Sequence, residues 1–231
     1  MKWKISMALF IFALVMPWPS QVINTSLILN LVLAPAFFIA AIFCRSTWFI
    51  GSFPGVLLSL HLFMLAVNVG ATRVILQGQG FSIKVVEALG SCIVENRPAT
   101  GLLIYALLVM LRLIVSNKAC ENITNMAGKL NLEPECIASA SLCVNFWREM
   151  NGYVVFVKNS VLAGILISLT NLLGGIAIST IMHGMELDAA FQSYSHLTVG
   201  IGIAALLQSL ILELATGIFC FNAGKDRIDN R

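Results

Sequence analysis

Glu213 is the only charge in the otherwise uncharged run from Leu197 to Ala223. An ionised carboxylate in hydrocarbon costs several kcal/mol unless it is paired or protonated. The residue type therefore admits two readings: a site for a proton or another ion, or a carboxyl near the interface or paired with a basic neighbour such as Arg112. Lys158 is the last charge before 23 uncharged residues, Ser160 to Met182. It is either an anchor whose ammonium snorkels to the headgroups or a working cation. The three histidines, His61, His183 and His196, lie in separate segments without metal-ligand spacing, and each is read as a satisfied or interfacial side chain. No glycine-rich phosphate loop, GxSxG elbow or HExxH motif occurs, so the sequence points to no enzyme and no cofactor. The six cysteines have no CxxC or CxxH spacing and are read as apolar fillers and free thiols of a reducing side.

The elements that position these residues follow from composition. With 58% hydrophobic and 11% charged residues, the chain has too little polar surface for a soluble domain of 231 residues. It reads as an all-α integral membrane protein whose first partner is the lipid bilayer. The formal charge of +3 is spread over the ends of apolar runs. That pattern orients a chain in a bilayer and excludes nucleic-acid binding, which needs a concentrated basic face.

The apolar runs predict about six transmembrane helices. The run from Ile5 to Cys44 is too long for a cleaved signal and suits two spans, about 5–22 and 26–44, with Pro17 and Pro19 at the bend and Gln21, Asn24, Thr25 and Ser26 in the turn. A third span, Trp48 to Thr72, opens on Gly51 and Gly55, a spacing that lets another helix approach, with Pro54 expected in the first turn. Residues 77–97 are expected to lie as a helix at the extracytoplasmic interface, with Phe81, Val85, Leu89 and Cys92 on one face and Lys84 and Glu87 on another. These segments, 1–116, hold the first four spans, the fourth running from Pro98 to Ser116. A cytoplasmic loop, 117–157, follows, with a helix expected over Ala119–Leu130 and stopped by Asn131 and Pro134. Residues 158–224 carry spans five and six, and 225–231 form a basic cytoplasmic tail. Lys2, Lys4, Arg45, Arg112, Lys118, Lys129 and the tail place both termini in the cytoplasm by the positive-inside rule.

Taken together, the segments resemble the FHIPEP family, the flagellar and type III secretion inner-membrane export-gate proteins. Phe53-Pro-Gly-Val-Leu-Leu through Asn68-Val-Gly-Ala-Thr72-Arg73-Val-Ile-Leu is similar to the family's third span, with its FP-x-LL start and N-x-x-[SA]-TR-x-IL ending. Pro17-Trp-Pro19 with Asn30 resembles the family's first turn and the asparagine after it. Val85-Val-Glu87-Ala-Leu-Gly is similar to V-I-E-A-F-G, and Asn117-Lys118-Ala-Cys-Glu-Asn-Ile to TKG-x-x-R-[IV]. Met150-Asn151-Gly152-Tyr-Val-Val-Phe-Val-Lys158-Asn-Ser160-Val-Leu-Ala-Gly164 resembles M-D-G-A-x-K-F-V-K-G-D-x-I-A-G. Asn171-Leu-Leu-Gly174-Gly175, His183-Gly-Met and Leu197-Thr-Val-Gly200-Ile-Gly202 continue in the family's order.

The departures carry as much information. Asn24, Asn151, Ser160 and Ile201 stand where the family has aspartates, and Gln208 where it has a proline. The family's PGKQM segment is missing between about Glu135 and Val144. Family members run on through two further spans into a large cytoplasmic domain, whereas this sequence ends at Arg231. The resemblance therefore implies a truncated gate homologue in the bacterial inner membrane. It would be multi-pass and associated with itself or with other export-apparatus membrane subunits, without the substrate-docking domain and without the acids for proton coupling. Glu213 lies about three turns, near 18 Å, beyond Ile201 at ~1.5 Å per residue and is a poor geometric substitute. Two alternatives stay open from the residues: a decayed or split-gene remnant without transport, and a small-solute channel or transporter centred on Glu213.

Overall fold

A computed structural model describes residues 18–44, 47–79, 82–94, 97–131 and 140–228. Regular structure among them is helical: α1 Ser20–Phe43, α2 Thr47–Val74, α3 Lys84–Val94, α4 Pro98–Asn131, α5 Ala140–Leu169, α6 Gly175–His183 and α7 Leu187–Ile228. A wider π-type turn, Ile75–Gln79, follows α2, and a second, Thr170–Gly174, joins α5 to α6. Five stretches are long and apolar enough to cross a membrane: Ser20–Phe43, Phe49–Gly78, Pro98–Asn125, Phe146–His183 and Leu187–Cys220. They coincide with the second to sixth expected spans. Of the first, 5–22, the part before Trp18 lies outside the described residues, and Ser20–Val22 belong to α1.

Three local expectations are corrected. Gln21, Asn24, Thr25 and Ser26 are the first turns of a helix and do not form a turn between spans. Pro19 opens that helix, its carbonyl accepting from Val22 and Ile23, and the polar side chains find partners within it or beside it. The Thr25 hydroxyl donates to the Gln21 carbonyl at 3.0 Å, and the Val85 amide of α3 donates to Asn24 Oδ1 at 3.0 Å. Pro54 lies inside α2, past its first turn, because the helix already begins at Thr47. Among the described residues, no atom beyond the helix's own approaches the face of Gly55.

The stripe that α3 buries is also one residue off the expected face. Val86, Gly90 and Val94 are buried, Val85 and Leu89 are half-buried, and Cys92 is exposed. Gly90 sets this rotation, because α3 crosses α7 there at backbone contact: a Cβ on Gly90 would meet the His196 carbonyl, and one on Gly200 the Val86 carbonyl. Small residues are what allow membrane helices to come this close.

α4 runs on from its span to Asn131, and α5 enters its span from Ala140, so most of 117–157 is helical. α7 is the hub. Of its apolar stretch 72% is buried, against 17% for the stretch formed by α5 and α6, so the other helices pack around it. One apolar cluster at its C-terminal half stacks Phe53 on Phe219, ring centroids 3.9 Å apart, with Phe37, Phe146 and Met150 around them. Another, nearer its start, gathers Ile23, Val67, Val86, Tyr194 and Leu197. Gly184, at φ 63°, reverses the chain between α6 and α7, and the Met185 amide closes the turn on the Ser179 carbonyl at 3.1 Å.

Across that turn the buried Ser179 hydroxyl donates to the Tyr194 hydroxyl at 2.7 Å, while the Tyr194 ring covers Gly175. Tyr194→Phe keeps the ring and removes the acceptor. The expected loss is about 0.6–1.7 kcal/mol, the range for hydrogen bonds between membrane helices, read as a lowered unfolding midpoint in mixed micelles.

Candidate functional site

Two charges meet inside the bundle. Arg112, from the middle of α4, places its Nε 3.9 Å from Glu213 Oε1 of α7, and the two side chains are 6% and 4% exposed. One turn along α4, the Ser116 hydroxyl donates to the same oxygen at 3.4 Å. Of the two readings of Glu213, the structure realises the pairing with Arg112. At 3.9 Å the contact is an ion pair without a good hydrogen bond, so each partner keeps unspent hydrogen-bonding capacity.

The pair separates two small cavities. The larger, about 30 Å³, lies between α2, α4, α5 and α7 and is lined by Asn68, Tyr105, Arg112, Gly164, Ser168, Ile201 and Gly202 among others. The smaller, about 10 Å³, is bordered by Ser116, Cys120, Tyr153, Glu213 and Thr216. Arg112 faces the first and Glu213 the second. At the far wall of the larger cavity Ser168 donates to the Gly164 carbonyl at 3.0 Å, and its oxygen lies 2.7 Å from the Tyr105 hydroxyl. Ser168 has one proton to give, so Tyr105 is the donor of that second bond. Beyond the smaller cavity, the buried His61 of α2 sets Nδ1 3.3 Å from the Tyr153 hydroxyl, with the rings edge-to-face at 5.4 Å.

This geometry sorts the residues singled out in the sequence. Asn68, Gly164 and Gly202, from three different helices, converge on the larger cavity with Arg112. Gly202 carries the Tyr105 ring, and a Cβ there would clash with it. Gly174 rests beside Leu76, Gly175 beneath Tyr194 and Gly200 on the Val86 carbonyl, so these glycines hold helix contacts. Ser160 is buried and spends its hydroxyl on the Val157 carbonyl at 2.8 Å. Arg73, Glu87, Lys118, Asn151, Gly152 and Lys158 are exposed and stand apart from the cavity. Among the described residues, Gly152 has no neighbour within 4 Å of the position a Cβ would take.

Ile201 lines the same cavity as Arg112, whose guanidinium also reaches Glu213. Glu213 lies farther along α7 than Ile201, yet one arginine borders both positions. Sequence reasoning missed Tyr105 and Ser168 and left His61 and Tyr153 unpaired. The available signal was a polar side chain inside an apolar run, which names a residue without naming its partner. Gln208, read only as a departure, donates to the buried Asn30 Oδ1 at 2.9 Å and ties α7 to α1. Gln208→Leu strands the Asn30 amide and is expected to lower stability by about 1–2 kcal/mol, whereas the paired change with Asn30→Leu recovers most of that in the same unfolding assay.

Comparison with known proteins follows the same outline. The FHIPEP family model matches residues 10–133 and 141–229. The flagellar biosynthesis protein FlhA of Bacillus subtilis is 30% identical over 96% of this chain and 36% of its own length. FlhA of Salmonella typhimurium is 28% identical over 95% of this chain and 36% of its length, and the harpin secretion protein HrpI of Erwinia amylovora 28% over 94% and 33%. The chain thus spans about a third of the length of the relatives it matches. No solved structure matches.

Proposed function

The chain belongs to the FHIPEP family, and from that premise we propose that it is a multi-pass inner-membrane component of a type III protein-export apparatus, flagellar or virulence-associated. In this reading it acts as a helix-packing subunit with both termini in the cytoplasm and catalyses no reaction of its own. Its partners are copies of itself or the apparatus's other membrane subunits.

One observation carries most of the support. Asn68, Gly164 and Gly202, distant in sequence and all in the family's motifs, meet at one cavity around Arg112, so the motif residues form a common interior. Among the exposed motif residues, Asn151, Gly152 and Lys158 lie on the outer face of α5, where a neighbouring subunit can reach them. The acids expected for proton coupling are Asn24, Asn151, Ser160 and Ile201 in this chain. These side chains do not titrate near neutral pH, so the reading assigns this chain packing and assembly, with no coupling through those positions.

The test is purification of the tagged chain from its own cells in mild detergent. A ring-sized oligomer, or co-elution with export-apparatus membrane subunits, is expected. A monomer that brings down neither ends the reading. Flux through a liposome-reconstituted chain addresses the alternative of a solute path at Glu213. The export reading expects Glu213→Gln to leave solute flux at the empty-liposome level, as in the unaltered chain.

A further inference from the structure

The interior of the bundle holds polar groups whose protein partners are incomplete. Arg112 is 5% exposed, and its Nε and Nη2 have no hydrogen-bond partner among the described residues; the same holds for Asn68 Oδ1, on a residue also 5% exposed, and for Glu213 Oε2. Arg112 and Asn68 both line the cavity of about 30 Å³. One brings donors and the other an acceptor, on opposite elements, α4 and α2. Buried groups of this kind in folded proteins are completed by a partner, and where side chains do not reach one another that partner is water.

We propose that this cavity is an internal water-binding site, in which bound water bridges the Arg112 guanidinium to the Asn68 carboxamide and makes Arg112–Glu213 a hydrated ion pair within the membrane. Volume and chemistry agree. A water needs roughly 10–15 Å³ of such space and two to four polar partners, so the cavity holds about two. The guanidinium, the Asn68 amide and the Tyr105–Ser168 hydroxyl pair supply those partners.

Other occupants fit less well. A cation meets the Arg112 charge, an apolar ligand leaves the guanidinium donors unmade, and an anion meets the carboxylate that already neutralises Arg112 at 3.9 Å. The site gives Asn68 a task that packing alone does not: it holds the far end of the water bridge. It belongs to the chain by itself and stands whether or not the chain assembles with other subunits.

Radiolytic hydroxyl-radical labelling of the full chain in lipid nanodiscs, read by mass spectrometry, tests this. Radicals form from water at the site, so buried side chains beside bound water are modified. Two tyrosines provide an internal comparison, since both are buried and both hydrogen-bonded to a serine: Tyr105 lines the cavity, and Tyr194 packs in an apolar cluster away from it. Tyr105 is expected to be modified about fivefold faster than Tyr194. Gly164→Ala places a methyl 3.8 Å from Arg112 Nη1, an ordinary contact, and takes up cavity space. With it, and with Asn68→Leu, Tyr105 labelling is expected to fall to the Tyr194 rate while the unfolding midpoint shows the chain still folded. Equal rates for the two tyrosines in the unaltered chain overturn the proposal, as does labelling that folded Gly164→Ala leaves unchanged. A midpoint that rises with chloride and not with gluconate marks a bound anion and also overturns it.

Discussion

Arg112→Ala is expected to destabilise the bundle by about 3–5 kcal/mol, because it leaves the Glu213 carboxylate, 4% exposed, without its counter-charge. Glu213→Ala is expected to cost a similar amount by stranding the guanidinium. The informative variant removes both charges and keeps the volume. Arg112→Met with Glu213→Leu is expected to lie within about 1–2 kcal/mol of the unaltered chain, since an apolar pair of similar size often replaces a buried ion pair without loss. Denaturant unfolding in mixed micelles measures all three, and the double-mutant cycle isolates the coupling. If the two single losses simply add in the double variant, the charges do not interact across the 3.9 Å gap. The pair would then be a coincidence of packing.

The cycle also bears on function. Arg112 on α4 meets Glu213 on α7 beside the cavity lined by Asn68, Gly164 and Gly202, so the pair is one of the contacts that join these two helices. The double variant should fold and pack, so any effect on assembly in the purification assay reports the charges themselves. A single variant that fails to assemble reports only instability. The two outcomes separate a structural pair from one that the assembled apparatus uses.

How much of this was written in the sequence depends on the kind of signal. The spans were legible because uncharged runs as long as Ser160 to Met182 have no soluble explanation. Their ends were less so. A polar cluster such as Gln21 to Ser26 looks like a turn when its partners are unknown, and it becomes a helix once Asn24 accepts from Val85, 61 residues away. The rotation of α3 was read from apolar residues, but the glycine decided it, since backbone contact with α7 outweighs a few half-buried side chains. Arg112 counts among the cytoplasmic charges only when its span is ended at Ser116; α4 continues to Asn131 and buries the arginine mid-helix. The site itself is a meeting of four helices, and single-chain periodicity carries no information about which faces meet. The resemblance named Asn68, Gly164 and Gly202. Only the packing put them around one cavity.

The same glycine-to-alanine change is expected to have opposite signs at different positions on the bundle, and this gives the sharpest test of the packing. Gly200→Ala drives a methyl into the Val86 carbonyl, which is backbone and cannot rotate away, so α3 must lift from α7. The expected loss is about 3 kcal/mol or more, the upper end of overpacking costs. Gly90→Ala, against the His196 carbonyl, should behave alike. Gly217 and Gly152 have nothing within 4 Å of a Cβ and sit inside helices, so alanine there is expected to stabilise the isolated chain by about 0.5–1 kcal/mol through helix propensity. Unfolding midpoints order the four variants, and a stable Gly200→Ala chain would remove the close crossing from the fold. Gly152 adds one further distinction, because it lies on the outer face of α5 among the motif residues that line no interior. If a neighbouring subunit docks there, Gly152→Ala raises the stability of the free chain and yet weakens its co-elution with partners. No packing defect within one chain produces that combination.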